Sequence, residues 1–340
     1  MRRSLPYLSV SAFLLVTVVL SIAIGSVFIP ISDLARILAG WLTGAALSEP
    51  LRTYAFILAA IRLPRAALVL LTGAALGGSG AAYQGLFRNP LADPYLIGVA
   101  SGAGLGAVLA LSVRWPYTTV GLLAVPLAAF AGALLTVFLV YALGRIGKTV
   151  PVTNLILAGV AFSAFASALT SYLMLRSTGE LHSAIAWMLG GASQAGWGPV
   201  LTVLPYLAIG LGTLLLCGHA LNLLQFGDDQ AQQLGLPVGR TRALILVAAS
   251  LSTAAAVAFS GIIGFVGLIV PHVMRLWFGA DYRRLLPLSI LGGAAMLLVA
   301  DTIARAVLSP EELPVGIVTA LAGAPFFLWV LRRAKNQGYW

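Results

Sequence analysis

The sequence predicts an all-α, polytopic membrane protein with about ten transmembrane helices. Of its 340 residues, 60% are hydrophobic and 9% are charged, and the mean hydropathy is +1.00. An average soluble domain has about 25% charged residues, so a water-soluble fold of this length could not bury so much apolar surface. The single cysteine, Cys217, lies inside an apolar run and excludes a disulfide or a cysteine metal site within one chain.

Ten apolar segments are long enough to cross a membrane, since about 20 helical residues span the roughly 30 Å of hydrocarbon. The first is too long for a signal-peptide core, so we expect it to be retained. Only Ser260-Gly261 divides the seventh segment from the eighth. The predicted limits are 7–29, 64–85, 96–113, 119–143, 153–175, 198–219, 243–260, 261–279, 285–307 and 314–332.

An even number of spans places both termini on one side of the membrane. The net charge of +10 is scattered over the ends of apolar segments, which argues against nucleic acid and for membrane lipid as the surroundings. Most of the 20 Lys and Arg residues lie inside if the N-terminus is cytoplasmic, so both termini are predicted to be cytoplasmic. The inner residues are Arg2, Arg3, Arg88, Arg145, Lys148, Arg240, Arg242, Arg275, Arg283, Arg284, Arg332, Arg333 and Lys335.

Two connections carry further predictions within one transmembrane domain, 1–340. Residues 30–61 form an outer interfacial segment, in which Ser32 caps a short helix with one apolar face. Residues 220–242 form the most polar inner loop, a candidate contact for a soluble partner. Gly73 and Gly77, four residues apart, indicate closely packed helices.

The sequence argues against an enzyme. The stretch Gly144–Thr149 resembles a phosphate-binding loop, but Ala142 stands where the first glycine of that pattern belongs. Any ATPase must therefore be another chain, which would bind the ATP and Mg; no cofactor and no metal is expected here. The three histidines are far apart in sequence, and no H-E-x-x-H motif occurs.

Asp301 is the one acidic residue deep in a predicted span, as a proton-coupled secondary transporter would need. Arg305 follows one helical turn later, which favours a structural ion pair over a titrating group. At the outer end of the second span, Arg62 and Arg65 suit either lipid phosphates or carboxylates of an external partner.

The inner loop also contains a short polar helix. Gly227–Gly235 has an Asp cap, an acidic first turn and a glycine stop, which predicts two helical turns. Such a short helix must pack on something to persist. A soluble subunit and the protein's own bundle are both open as its support.

Several long motifs, in order along nearly the whole chain, resemble the FecCD-like permease family of type II ABC importers for iron chelates, haem and cobalamin. The motifs are Arg62-Leu-Pro-Arg65, Gly73-Ala-Ala-Leu-Gly77, Asn89-Pro-Leu-Ala-Asp-Pro94, Leu155-Ile-Leu-Ala-Gly-Val160, Trp187-Met-Leu-Gly-Gly191, Ala231-Gln-Gln-Leu-Gly235, Gly264-Phe-Val-Gly-Leu-Ile-Val-Pro-His272 and Glu312-Leu-Pro-Val-Gly-Ile-Val-Thr-Ala320.

The resemblance implies a permease subunit in the bacterial inner membrane that moves a chelate by alternating access at a homodimer interface. Two ABC ATPase subunits would bind inside, and a periplasmic or lipid-anchored substrate-binding protein would dock outside. We expect an iron chelate, ferric siderophore or haem, as cargo, with cobalamin as the alternative. A proton-coupled secondary transporter is the alternative from a different class.

The same resemblance implies roles for particular residues. Arg62, Arg65 and Arg305 would dock the binding protein. Coupling to the ATPase would involve Asp228, Asp229, Ala231, Gln232, Leu234 and Gly235. A cytoplasmic gate would involve Asn89, Leu91 and Thr153, although only Thr153 keeps a hydroxyl where the best-known members have a pair.

Overall fold

The computed structural model describes residues 4–25, 27–113, 115–116, 118–147, 150–176, 181–192 and 196–336, with the backbone alone for 119, 120, 331 and 333–336. Arg2, Arg3 and Lys148 of the charge argument and Thr149 of the phosphate-loop comparison lie outside these residues. The end of the bundle that carries residues 218–242 is called the inner end below, following the predicted orientation, and the opposite end is called the outer end.

The described residues form fifteen α-helices and one π-helical turn, Leu58–Arg62, which joins α3 to α4. The helices are α1 Leu5–Ala23, α2 Ile31–Thr43, α3 Glu49–Ile57, α4 Leu63–Phe87, α5 Val99–Leu111, α6 Thr119–Gly144, α7 Val152–Arg176, α8 Leu181–Met188, α9 Gly198–Leu216, α10 Gly218–Leu224, α11 Asp228–Gln233, α12 Val238–Ser260, α13 Val266–Phe278, α14 Tyr282–Ala306 and α15 Val315–Asn336.

Every predicted span corresponds to a helix. Seven helices are long and apolar enough to cross a membrane: α1, the continuous α3–α4, α6, α7, α9, α12 and α14. Three shorter apolar helices, α5, α13 and α15, match the remaining predicted spans. The all-helical fold and the count of about ten are therefore confirmed in the part of the chain that the structure describes.

Helices α4, α12 and α14 form the centre of the bundle. In the most apolar stretch of each helix, 78% of the residues are buried in α12 and 61% in α14, against 17% in α1 and α7. The helices at the periphery of the bundle, such as α1 and α7, expose large apolar side chains, including Phe13, Leu157 and Phe165. In a membrane these side chains face lipid or a second protein, because water would not solvate them favourably.

Glycines allow α4 and α14 to pack backbone against backbone. A Cβ atom on Gly73 would clash with the carbonyl oxygen of Gly293 and lie 2.9 Å from the Cβ of Leu297. A Cβ atom on Gly77 would clash with the carbonyl oxygen of Ser289. The small-residue spacing thus reports a real contact between two spans, as the sequence predicted.

The division between the seventh and eighth spans falls where it was predicted. Helix α12 ends at Ser260, and residues 261–265 are non-helical before α13 begins at Val266. Gly261 and Phe265 both have positive φ, 66° and 70°. Since a positive φ is unfavourable for phenylalanine, this break is a strained segment that the surrounding contacts must hold.

Two local predictions, both of helix caps, need correction. Helix α2 begins at Ile31 after Pro30, so Ser32 lies inside the first turn and is not the cap. The inner polar helix has Gly227 at its N-cap, and Asp228 is its first helical residue. Helix runs without interruption from Glu49 to Phe87, so the last part of the outer segment 30–61 continues directly into the second span.

Candidate functional site

A buried ionic cluster at the outer end joins α4, α14 and the segment before α15. Asp301 is fully buried, and its Oδ1 accepts hydrogen bonds from Nε and Nη2 of Arg65 at 3.1 and 2.9 Å. Its Oδ2 accepts a bond from Nε of Arg305 at 2.9 Å, which confirms the predicted i, i+4 pair. Arg65 also contacts Glu312 at 2.7 Å, and the Glu312 side chain is 48% exposed. We call Arg62, Arg65, Asp301, Arg305 and Glu312 the outer cluster.

Two arginines of the outer cluster hold the C-terminal end of α1. Arg62 donates to the carbonyl oxygens of Ile22, Ala23 and Val27. Arg305 donates to the carbonyl oxygen of Ile24 at 2.9 Å and to both oxygens of Ser21. Carbonyls at the end of a helix lack intrahelical donors, and the helix dipole there favours positive charge. The two guanidinium groups therefore provide hydrogen-bond donors for the free carbonyl oxygens at the C-terminal end of α1.

The burial of the three arginines limits which of them could contact a docked binding protein. Arg62 and Arg305 are each 6% exposed, so their guanidinium groups are occupied inside the chain. Arg65 has 17% of its side chain exposed and lies beside Glu312. The structure therefore leaves Arg65 and Glu312 as the accessible members of the outer cluster, and docking through all three arginines stays a prediction.

Three of the quoted motifs meet next to the outer cluster. The motif that ends at Gly191 is bonded through its backbone to the end of α12 and to the motif that begins at Glu312. The amide of Gly191 donates to the carbonyl oxygen of Ser260, and the amides of Val315 and Gly316 donate to the carbonyl oxygens of Gly190 and Leu189. These two motifs, together with Arg65 of the Arg62–Arg65 motif, surround a cavity of about 430 Å³. Its lining includes Arg65, Trp187, Gly190, Gly261, Glu312 and Pro314. Sequence order alone could not show that these motifs share one cavity.

At the inner end, α11 is anchored on one side and presents polar and apolar groups on the other. Ala231 is fully buried, whereas Leu234 is 61% exposed and Phe226, just before the helix, is 62% exposed. Asp229, Gln232 and Gly235 are also exposed. Large exposed apolar side chains within a polar loop favour a contact with another protein.

Arg242 connects α11 to two other elements. Its Nη2 donates to both carboxylate oxygens of Asp228 at 2.8 and 2.9 Å. Its Nη1 donates to the carbonyl oxygen of Val150, two residues before α7, at 3.3 Å. The sequence placed Arg242 near the polar helix, but the link to Val150 could not be predicted because residues 150 and 242 are distant in sequence.

The predicted gate residues lie at the inner end. Asn89 accepts a hydrogen bond from the amide of Leu91 at 2.9 Å and lines a cavity of about 340 Å³ together with Gln84, His272 and Arg275. Leu91 is 39% exposed, and Thr153 is exposed in the first turn of α7. Their role as a gate stays a prediction.

The loop that carries Asn89 is tied to the break between α12 and α13. The hydroxyl of Tyr95 donates to the carbonyl oxygen of Ile263 at 3.0 Å and accepts from its amide at 3.3 Å. Asp93 accepts from the amide of Tyr95 at 2.7 Å. Burial raises the pKa of Asp93 to about 6. Neither residue was predicted from the sequence as part of a site, although Asp93 lies within the Asn89–Pro94 motif.

A second tie joins α10 to the start of α14. Asp281 accepts hydrogen bonds from Arg283 and from Nδ2 of Asn222, the latter at 2.6 Å, while the Asn222 side chain accepts from the amide of Tyr282. Hydrogen bonds from Arg283, and next from Asn222, lower the pKa of Asp281 to about 2. The inner loop is therefore fixed to the central helix α14 by charged and polar contacts.

The described residues contain polar clusters at the two ends of the bundle and an apolar centre. Within the described residues, no group of three or more His, Cys, Asp or Glu side chains is placed to hold a metal ion. The ionic clusters lie at the two ends of an apolar bundle, which contains, over the ranges that the structure describes, seven helices long enough to cross a membrane and three shorter apolar helices. These features define a polytopic membrane transport protein.

Comparison with known proteins gives the family. A model of the FecCD transport family matches residues 13–333, and the chain belongs to that family. It is 48% identical over 276 residues to the cobalamin import system permease protein BtuC of Halobacterium salinarum, covering 81% of this chain and 73% of the relative. It is 42% identical to the hemin transport system permease protein HmuU of Yersinia pestis, covering 82% of this chain and 83% of the relative.

A solved structure agrees with the sequence comparison. It is described as an inward-facing conformation of a putative metal-chelate type ABC transporter. The TM-score is 0.83 at 31% identity, covering 96% of this chain and 98% of the other. The expected permease family and fold are thereby confirmed.

Proposed function

We propose that this chain is the membrane-spanning permease subunit of an ATP-driven importer for a metal chelate. Two copies form the translocation path between them, two ABC ATPase subunits bind the inner ends, and a substrate-binding protein delivers the chelate outside. Both termini are cytoplasmic, and the complex lies in the bacterial inner membrane. No covalent chemistry takes place in the permease, because ATP and Mg bind to the ATPase.

The pairing of the buried charges carries this proposal. Asp301 is the one fully buried acid in the described part of the chain, and it is neutralised by Arg65 and Arg305. Arg242 is neutralised by Asp228. A secondary transporter needs an acidic group that gains and loses the coupling ion. Asp301 is already occupied by two guanidinium groups and does not present a free carboxyl of that kind, so we propose that the driving energy comes from a partner.

The inner face supports an ATPase as that partner. Helix α11 has six residues, too few to be stable without support. It buries Ala231 against the bundle and leaves Leu234 exposed. In the proposed complex the ATPase covers Leu234 and Gln232, and the movement of the ATPase reaches the permease through α11.

The cargo is proposed from the relatives. Cobalamin and hemin, named for the two relatives above, are both metal chelates. We propose an iron chelate, ferric siderophore or haem, as the cargo and cobalamin as the second choice. The outer cavity is lined mainly by glycine and apolar residues, with Arg65 and Glu312 at one side. A lining with so few polar groups discriminates little among chelates, so selectivity would reside in the binding protein.

Docking of the binding protein is proposed to centre on Arg65. Its guanidinium already contacts an exposed carboxylate, Glu312, at 2.7 Å. A carboxylate of the binding protein would replace or join Glu312 there. Arg62 and Arg305 would then act behind Arg65, by fixing the end of α1 against the central helices.

One observation favours a second candidate, a proton-coupled transporter. Burial raises the pKa of Asp93 to about 6, and Asp93 accepts a hydrogen bond from the amide of Tyr95, whose hydroxyl contacts Ile263 in the break between α12 and α13. A carboxyl with that pKa changes charge near physiological pH. If proton movement drives transport, Asp93→Asn should abolish uptake; in the ATP-driven importer, the same variant should retain it.

The experiment for the main proposal is capture of the ATPase encoded with this permease. Purified permease in detergent should retain the ATPase on a column, and Leu234→Asp should reduce the retained amount about tenfold by placing a charge in the contact. Arg145→Gln is the control and should match the unmodified permease, because the Arg145 side chain is exposed at the inner end and, among the described residues, donates to the nearby carbonyl oxygen of Gly147. Equal capture by Leu234→Asp would contradict the proposed contact.

A further inference from the structure

We propose that Arg242 is a positioning residue that transmits the movement of α11 to the first turn of α7, where Thr153 lies. This inference rests on the proposed function, in which the ATPase acts on α11. It adds a route from the ATPase contact to the predicted gate, through one side chain.

The geometry of the route is direct. One guanidinium group binds the carboxylate of Asp228, the first residue of α11, through Nη2 and the carbonyl oxygen of Val150 through Nη1. Val150 precedes α7 by two residues, and Thr153 is the second residue of α7. A shift of Asp228 therefore displaces the same planar group that holds Val150, because the guanidinium fork is rigid.

The backbone of Arg242 belongs to a buried central helix, so a movement of Asp228 would act on the guanidinium group and not on α12. It lies in α12, the helix whose apolar stretch is the most buried of those that cross the membrane. Its side chain is 9% exposed, whereas the Asp228 side chain is 43% exposed. The pair thus joins a partly exposed carboxylate to a buried guanidinium group.

Stability alone gives a weak reason for an arginine at this position. A buried ion pair is commonly no more stabilising than well-packed apolar side chains of similar size. The Nε atom of Arg242 is buried and has no hydrogen-bond partner in the described part of the chain, which adds a desolvation cost. Arg242 leaves its buried Nε donor unused, so its presence is better explained by the connection that Nη1 and Nη2 make between Val150 and Asp228.

A cleft separates part of α11 from the start of α12. A cleft of about 540 Å³ lies between α11, the start of α12 and the end of α6. Its lining includes Tyr141, Asp228, Gln232, Arg240 and Arg242. Asp228 and Arg242 both line this cleft, and their ion pair bridges it, linking α11 to the start of α12.

The test uses the complete importer, permease with ATPase and binding protein, in proteoliposomes. Arg242→Lys keeps the charge, but an ammonium group cannot hold a carboxylate bidentately and a carbonyl in one rigid plane. We expect ATPase capture within twofold of the unmodified complex, while the amount of chelate transported per ATP hydrolysed falls about tenfold. Asp228→Asn should show the same loss, and Arg145→Gln should show none.

A distance measurement separates transmission from a general structural defect. Spin labels at positions 153 and 216, in a Cys217→Ala background, should change their separation when ATP binds the unmodified complex. Arg242→Lys should abolish that change while the ATPase remains bound. If the change persists and transport per ATP equals that of Arg145→Gln, the transmitting role is wrong.

The outcome also separates this inference from the proposed function. A permease that captures no ATPase in its unmodified form would overturn the proposed function itself. Normal capture with unaffected coupling in both Arg242→Lys and Asp228→Asn would overturn the transmitting role alone. Should Arg242→Lys fail to fold, Asp228→Asn decides between the outcomes. The Asp228 side chain is 43% exposed, so a substitution there disturbs folding less than one at the buried Arg242.

Discussion

Removing the negative charge of Asp301 should be among the most destabilising single changes at the outer end. The Asp301 side chain is 0% exposed and accepts hydrogen bonds from Arg65 and Arg305 at 2.9 to 3.1 Å. Asp301→Asn would leave two guanidinium groups without their shared counter-charge. Loss of one partner from a buried ion pair costs about 3–5 kcal/mol.

Glu312→Gln is the matched control for that change. Glu312 contacts the same arginine, Arg65, but its side chain is 48% exposed. An exposed ion pair contributes about 0–1 kcal/mol. The structure therefore predicts a difference of at least about 2 kcal/mol between two substitutions that each remove one carboxylate charge from the outer cluster.

The free energy of unfolding should be measured in mixed detergent micelles by titration with SDS, followed by circular dichroism. Both variants need the same protein concentration and the same micelle composition. Asp301→Asn should unfold at clearly lower SDS than Glu312→Gln. If the two variants unfold together, water or lipid headgroups reach Asp301, and the cluster is not the buried clamp that its contacts indicate.

Three further predictions concern packing and pH. Gly77→Ala should cost about 1–3 kcal/mol in the same titration, because its Cβ would clash with the Ser289 carbonyl oxygen, whereas Gly212→Ala, with no atom within 4 Å, should cost nothing. The pKa of Asp93 is raised from 3.8 to about 6, so its stabilising contribution is full below pH 4 and is lost as pH rises through 6; Asp93→Asn should remove that loss, up to about 3 kcal/mol, between pH 4 and 7. The pKa of Asp281 is lowered to about 2, so its contribution is present above pH 4 and is lost as pH falls through 2; Asp281→Asn should lower the melting temperature at pH 7 slightly, because the partly exposed carboxyl is screened by water. A variant that titrates with the opposite sign would contradict the assigned contacts.

The spans could be predicted because one physical requirement determines them. A helix in hydrocarbon satisfies its own backbone hydrogen bonds and needs about 20 apolar residues, and both properties are local in sequence. Even the break after Ser260 was visible, since Gly261 follows it directly. Helix caps were less predictable: Ser32 and Asp228 are suitable capping residues, but Pro30 and Gly227 stand at those positions.

The polar contacts could be predicted only where both partners lie on one helix. Asp301 and Arg305 are four residues apart, so their pairing followed from helical geometry. Arg65 and Asp301 are separated by 236 positions, and Arg242 and Val150 by 92. Those contacts depend on how the helices pack, which in turn depends on glycines such as Gly73 and Gly293 that meet only in the folded bundle.

Burial also changes the interpretation of the outer arginines. Position at a span end suggested accessible side chains, but Arg62 and Arg305 point inward to the carbonyls that end α1. Arg65→Glu should therefore weaken capture of the binding protein more than Arg62→Lys does, when each is compared at equal amounts of folded permease.

The central claim is that this permease moves its chelate only when an ATPase acts on it. Uptake of radiolabelled ferric siderophore, haem and cobalamin should be measured in vesicles that contain the permease alone, and in vesicles that also contain its ATPase and binding protein. We predict no uptake above that of empty vesicles by the permease alone, and uptake of one of these chelates by the complete complex that stops without ATP. Accumulation by the permease alone in a proton gradient would contradict the account.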